Sequence, residues 1–195
     1  KPMFIDKPIA GHLNEAIAIF ELSKKYNVPL FSSSSLRYTA ATQEIHNGKY
    51  GEVIGADSYG PDNSEPSHGD FTWYGIHAVE ALYAVMGTGC KEVSCASVPG
   101  TEVATGIWEG DRIGTFRANV KAKYVFGGTV FTKEGAFQMG SEIPYEALLQ
   151  RIIGFFDTGV VPVTPQETIE IFTFMEAASV SKARGGVPVM MSEVY

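Results

Sequence analysis

Residues 91–139 read KEVSCASVPGTEVATGIWEGDRIGTFRANVKAKYVFGGTVFTKEGAFQM. Short runs rich in Val, Thr, Phe and Tyr are broken at Pro99-Gly100, Glu109-Gly110-Asp111, Gly127-Gly128 and Lys133-Glu134-Gly135. β-Branched and aromatic residues suit a pleated, half-buried surface, and Gly-containing breaks this short are hairpin turns. The stretch predicts a meander of antiparallel strands. Two helical patterns follow, Tyr145–Phe156 and Gln166–Ala183. The second has Pro165 at its first turn, an acidic start, Lys182 and Arg184 at its end and Gly185-Gly186 as its stop, the polarity that helix ends favour.

Upstream the pattern differs. Met3-Phe4-Ile5 is a short apolar run, and Ala16, Ile17, Ile19, Phe20 and Leu22 recur at helical spacing as far as Lys24-Lys25-Tyr26-Asn27. Val28-Pro29-Leu30-Phe31 is a second strand, and Ser32–Ser35 is a polar stop. A strand–helix–strand unit is the repeating element of a parallel sheet, and two strands with one crossover cannot cover both faces of such a sheet. Residues 1–35 therefore read as the end of a larger domain. Beyond Arg37-Tyr38 come a helix over Thr39–His46 closed by Asn47-Gly48, a strand over Gly51–Tyr59 and a polar loop over 60–70. A helix over Thr72–Met86 follows, stopped by Gly87 and Gly89. The expected fold is α+β, with a predominantly antiparallel sheet of five or six strands and helices on one face across 36–195, preceded by the β-α-β unit.

The chain has 195 residues, 45% apolar and 19% charged, as an ordinary globular protein does. Its net charge of −7 argues against a nucleic-acid backbone as partner. No window offers the ~18 apolar residues of a membrane span. Cys90 and Cys95 match no zinc or redox spacing and read as ordinary buried thiols. The cytoplasm is the expected compartment, with a leader upstream of residue 1 left open.

Two positions carry candidate chemistry. Lys7 stands at the carboxyl end of the first strand, where open α/β sheets place functional groups, and Pro8 biases its backbone toward an extended form. His77 lies off the apolar stripe of Ile76, Val79, Leu82, Tyr83 and Met86, beside Trp73, Ala81 and Ala84. A histidine in a cleft suits proton exchange with a hydroxyl or carbonyl. Taken alone, each reads more readily as a solvated loop lysine and a surface or half-buried structural histidine. His68, Asp70 and His77 lack a fourth ligand at any useful spacing, so no metal site is expected.

Four stretches in order resemble the Gfo/Idh/MocA oxidoreductases. Asp6-Lys7-Pro8 is similar to their Glu-Lys-Pro, followed by helix, strand and Ser35-Leu36-Arg37-Tyr38. Gly51-Glu52-Val53 after Asn47-Gly48-Lys49-Tyr50 resembles their entry into the first sheet strand, and Trp73-Tyr74-Gly75-Ile76-His77-Ala78-Val79-Glu80 their D-x-G-x-H-x-x-D helix. Pro162–Glu167 through Gly185 is similar to their closing helix. Two positions depart: Trp73 replaces the acid four residues before the histidine, and Glu80 replaces an aspartate.

The resemblance implies a nucleotide-binding Rossmann domain ending at about residue 35, then a substrate and oligomerisation domain with a dihydrodipicolinate-reductase-like fold. It implies NAD or NADP as cofactor, hydride transfer on the CH–OH group of a sugar, polyol or related metabolite, and homo-oligomers formed through the sheet face. Asp6, Lys7 and Pro8 would meet the cofactor, Lys7 and His77 would be catalytic, and Arg37, Trp73 and Tyr74 would bind substrate. No G-x-G-x-x-G follows a strand here, so that fingerprint is expected before residue 1 and the 195-residue chain is expected to be inactive alone. The missing acid before His77 keeps other readings open: an NAD-dependent glycosidase, a ligand sensor, or a module serving assembly.

Overall fold

A computed structural model of the chain describes residues 1–121 and 123–195. Strand β1 (Met3–Phe4), helix α1 (Leu13–Lys25) and strand β2 (Leu30–Phe31) form the expected unit, with β1 and β2 paired parallel. Helix α1 starts in a capping box: the Glu15 carboxylate accepts the N–H groups of Gly11 and His12 at 3.0 and 3.1 Å. Its buried residues are Leu13, Ala16 and Phe20. A 3-10 turn, Ser35–Tyr38, leads into α2 (Ala40–His46).

The main sheet is α+β in context and mostly antiparallel, as the turn pattern predicts. Among the described residues it has seven strands: β3 (Val53–Pro61), β4 (Cys90–Val98), β5 (Thr101–Trp108), β6 (Arg112–Asn119), β7 (Gly127–Thr132), β8 (Gly135–Gln138) and β9 (Val189–Met190). The order across the sheet is β8-β7-β3-β6-β5-β4-β9. The β5–β6 hairpin turns at Gly110 (φ 72°) and Asp111 (φ 57°), the pair of positive φ values that a tight turn matched to strand twist requires.

Three expectations are corrected. The sheet has seven strands rather than five or six, because β9 pairs with β4 over two residues, too few for periodicity to register. The meander is interrupted: β4, β5 and β6 are consecutive neighbours, but β7 joins the far side of β3, which runs parallel to β6. Turn residues reveal that a strand ends, not which edge the next strand joins. The helix expected from Thr72 begins later, as α3 (Ile76–Met86), because Phe71 has φ 67° and residues 71–75 form turns.

Helices α4 (Tyr145–Thr158), α5 (Pro165–Ala183) and α6 (Met191–Val194) complete the chain. Helices α3 and α5 cover one face of the sheet. Trp108 from that face packs with Phe174 of α5 at 5.8 Å and Tyr83 of α3 at 5.4 Å between ring centroids. Every residue of α3 is buried except His77, so this is a central helix rather than one with a single apolar stripe. On the other sheet face Ile113, Phe131 and Tyr59 are exposed. No described helix is long and apolar enough to cross a membrane.

Candidate active site

The parallel pair β1–β2 ends with both chains running toward α3. Beyond β1 lies Lys7, joined to Pro8 by a cis peptide bond; beyond β2 lies the run Ser32–Ser35, whose four residues are all buried. The Ser34 hydroxyl accepts the Leu36 N–H at 3.2 Å and caps the 3-10 turn. Turn residue Tyr74 and the first turn of α3 add His77 from the opposite side.

These pieces enclose a cavity of about 160 Å³. Lys7, Ser35, Leu36, Tyr74 and His77 line one part of it; Tyr124, Phe126, Ile143 and Tyr145 line the rest. The Lys7 ammonium is 5.5 Å from the Tyr74 ring centroid, within cation–π range. Tyr74 and Tyr124 meet edge to face at 5.2 Å, and His77 meets Phe126 at 5.4 Å. The cavity is walled by aromatic rings and carries one formal charge, that of Lys7.

The electrostatics follow from burial. Loss of water lowers the Lys7 ammonium below the ordinary lysine value, against the raising influence of Asp6 and Glu80. Burial, with the Lys7 charge second, pulls His77 down to about 3, so the imidazole is neutral at physiological pH. The His77 Nδ1 lies 2.7 Å from the Ser34 hydroxyl. Burial raises the Glu80 carboxyl, opposed by the Arg37 guanidinium, whose Nε donates to Glu80 Oε2 at 3.0 Å. The second arm of Arg37, Nη2, lies 2.7 Å from Glu167.

Of the residues singled out in the sequence, Lys7, Tyr74 and His77 share the cavity. Asp6 is exposed beside Lys7 and Pro8 is half-buried. Arg37 is 5% exposed and engaged by Glu80 and Glu167 on the other side of the serine run, not in the cavity. Trp73 points outward, with its ring 4.7 Å from that of His68 and 6.3 Å from that of Tyr74. His68, Asp70 and His77 do not converge: Asp70 pairs with Lys182, while His77 turns to Ser34. Burial pushes the Cys90 and Cys95 thiols up to about 12 and about 11, as inert core residues.

Sequence reading missed Ser34, Tyr124, Phe126, Ile143 and Tyr145. For Ser34 a signal existed, since four consecutive serines directly after a strand have backbone and hydroxyl groups that must all be satisfied. The other four come from segments remote in sequence.

No family model and no curated protein matches the chain. Solved structures do. A probable dehydrogenase from Thermotoga maritima superposes with TM-score 0.83 at 19% identity, covering 100% of this chain and 74% of that one. An apo scyllo-inositol dehydrogenase from Lactobacillus casei gives TM-score 0.79 at 15% identity over 98% and 72% of the two chains. A myo-inositol dehydrogenase from the same organism, crystallised with NAD(H) and myo-inositol, gives 0.77 at 14% over 97% and 70%. Across nearly its whole length, the chain has the fold of these dehydrogenase structures.

Proposed function

We propose that the chain is the substrate-carrying part of an NAD(P)-dependent oxidoreductase acting on the CH–OH group of a sugar, polyol or related metabolite. The observation that carries this reading is the convergence of Lys7 and His77 on one cavity from elements far apart in sequence. The fold, shared with inositol dehydrogenase structures, supports it.

The residues suit one end of the cofactor. Asp6, Lys7 and Pro8 stand at the carboxyl end of a parallel strand pair, where such sheets receive nucleotides. A pyrophosphate cradle of the form G-x-G-x-x-G after a strand does not occur within these 195 residues, and we assign it to a preceding segment. Apolar surface beside the pair supports that division: Leu149, Ile153 and Phe156 of α4 are about half exposed, while Phe155 of the same helix packs on Phe31 of β2 at 5.0 Å. NAD or NADP, when bound, supplies the hydride acceptor.

The chain's own groups do the rest. Lys7 stabilises negative charge developing on the substrate oxygen, and His77 hydrogen-bonds that oxygen. The rings of Tyr74, Tyr124 and Phe126 exclude water and offer flat faces to the CH side of a sugar or cyclitol. Trp73 is available to the outer part of a substrate. The Arg37 pairs with Glu80 and Glu167 hold the serine run against α3 and α5.

The test uses the full-length protein with a sugar and polyol panel, followed by NAD(P)H absorbance. Lys7→Ala and His77→Ala are each expected to lower kcat/KM by ~10²-fold or more, the usual scale for losing one donor to a developing oxyanion. Unchanged turnover in both variants removes these residues from the chemistry. The 195-residue chain alone is expected to show no turnover, and turnover by it would overturn the proposed division of labour.

A further inference from the structure

The hydrogen bond between Ser34 and His77 fixes more than a ring orientation. Ser34 is 1% exposed, and its Oγ has two neighbours among the described residues: the Leu36 N–H at 3.2 Å and His77 Nδ1 at 2.7 Å. A hydroxyl carries one proton and two lone pairs. The Leu36 N–H occupies one lone pair. If Nδ1 bore the imidazole proton, it would occupy the other, and the Ser34 proton would be buried with no acceptor. A buried donor left unmet has given up its water partner and gained nothing in return. Only donation from Ser34 to Nδ1 satisfies every atom, and it puts the imidazole proton on Nε2.

We propose that Ser34 is a positioning residue that holds His77 as a neutral imidazole protonated on Nε2, so that His77 donates a hydrogen bond to the substrate oxygen rather than removing its proton. The donor function rests on the oxidoreductase reading above; the tautomer does not. The Ser34 hydroxyl orients the ring without adding charge. The groups facing the imidazole agree. Lys7 repels a second positive charge, Tyr74, Tyr124 and Tyr145 line the cavity with their rings, and Glu80 one turn along α3 is engaged by Arg37. Burial and Lys7 together hold the ring neutral to about pH 3. The substrate O–H proton then leaves for solvent, and the Lys7 ammonium stabilises the negative charge left on the oxygen.

The chain has four histidines, which makes the tautomer directly readable by ¹⁵N NMR of histidine-labelled protein, with His77→Gln assigning the signals. The expected wild-type result is a pyridine-like Nδ1, a pyrrole-like Nε2 and no protonation of His77 between pH 8 and ~5, whereas an ordinary histidine titrates near 6.5. Ser34→Ala is expected to mix the tautomers and Ser34→Thr to restore the single one. A wild-type Nδ1–H tautomer, or a His77 that titrates near 6.5, overturns the proposal even if Ser34→Ala fails to fold. Identical signals in wild type and folded Ser34→Ala also overturn it. In the full-length protein, Ser34→Ala is expected to lower kcat about tenfold with KM little changed. If the tautomer result holds and no CH–OH substrate turns over, the oxidoreductase reading falls and the positioning role of Ser34 stands.

Discussion

At the scale of single residues, the protein places ionisable groups where water is scarce and lets their neighbours decide the charge. His77 and Arg37 came out of the sequence as a pair of polar candidates, yet their environments separate them. Arg37 is locked between Glu80 and Glu167, a use that no local pattern announces because its partners lie 43 and 130 positions away. Lys7, Tyr74 and His77 were legible because each sits in a short motif beside a strand end or a helix start. Asp62 was not legible, since it falls in a polar loop that reads as exposed. It is 8% exposed, and its carboxylate accepts the Gly75 N–H at 3.2 Å. Burial lifts its pKa from 3.8 to about 6; the Gly75 N–H opposes this, and Glu102 and Asp70 add to it. The folded state thus binds the proton more tightly than the unfolded chain. Stability is highest below pH 3.8 as far as this group is concerned, and falls as pH rises through about 6. Asp62→Asn keeps an oxygen for Gly75 and removes the charge. It is expected to raise stability at pH 8 by on the order of 1–3 kcal/mol, and to change it little at pH 4. Urea midpoints at the two pH values decide this; equal shifts at both would mean that charge is not the cause.

At the scale of elements, hydrophobic period and end chemistry located α1, α2, α4 and α5 to within a few residues, because their caps are local. Thr164 accepts the Glu167 N–H at 3.1 Å at the start of α5, and Gly48 at φ 79° follows α2. The start of α3 was misplaced because its apolar and aromatic run continues backward through Phe71, while that residue takes φ 67° with its ring buried edge-on to Phe116. Ile76 N–H then bonds to the Phe71 carbonyl, at 2.8 Å and five residues back. Gly75 is the residue that permits this crossing. A Cβ there would stand 2.6 Å from the Phe71 oxygen and 3.0 Å from the Phe116 ring. Helix propensity alone predicts that Gly75→Ala stabilises by ~1 kcal/mol. The backbone oxygen cannot swing aside as a side chain would, and overpacking of this kind costs ~1–3 kcal/mol. The substitution is therefore expected to destabilise by about 1–2 kcal/mol in urea unfolding. Stabilisation would show that residues 71–75 relax into a regular helical turn.

At the scale of the whole molecule, the sequence resolved the fold class because strand-rich and helix-rich segments are separated along the chain. Strand order escaped it, and with that order went the far wall of the cavity. Phe126 reaches His77 and Tyr124 reaches Tyr74 because the chain passes from β6 to the other side of β3, a choice made by the sheet as a whole. The same sheet leaves one broad face uncovered. Phe131, Ile113 and Ile107 form a row across it through Gly55, and Tyr59 faces Arg117 and Val103 in a parallel row. Ile113 is 51% exposed, Phe131 38% and Tyr59 37%. Between the rows, Asp57 accepts the Thr115 hydroxyl at 2.6 Å, and Asp57 and Arg117 are both exposed on this face. A two-fold axis through such a face would bring Asp57 of one copy toward Arg117 of another while burying the apolar rows, the self-complementarity that an isologous interface needs. The chain is expected to sediment as a dimer or higher oligomer at micromolar concentration. Ile113→Asp places a carboxylate at the centre of the apolar row without touching the helix-covered core. It is expected to yield a folded monomer with an unchanged far-UV spectrum. A wild-type chain that stays monomeric at 100 µM, or an Ile113→Asp variant that still associates, would show that this face is not where copies meet.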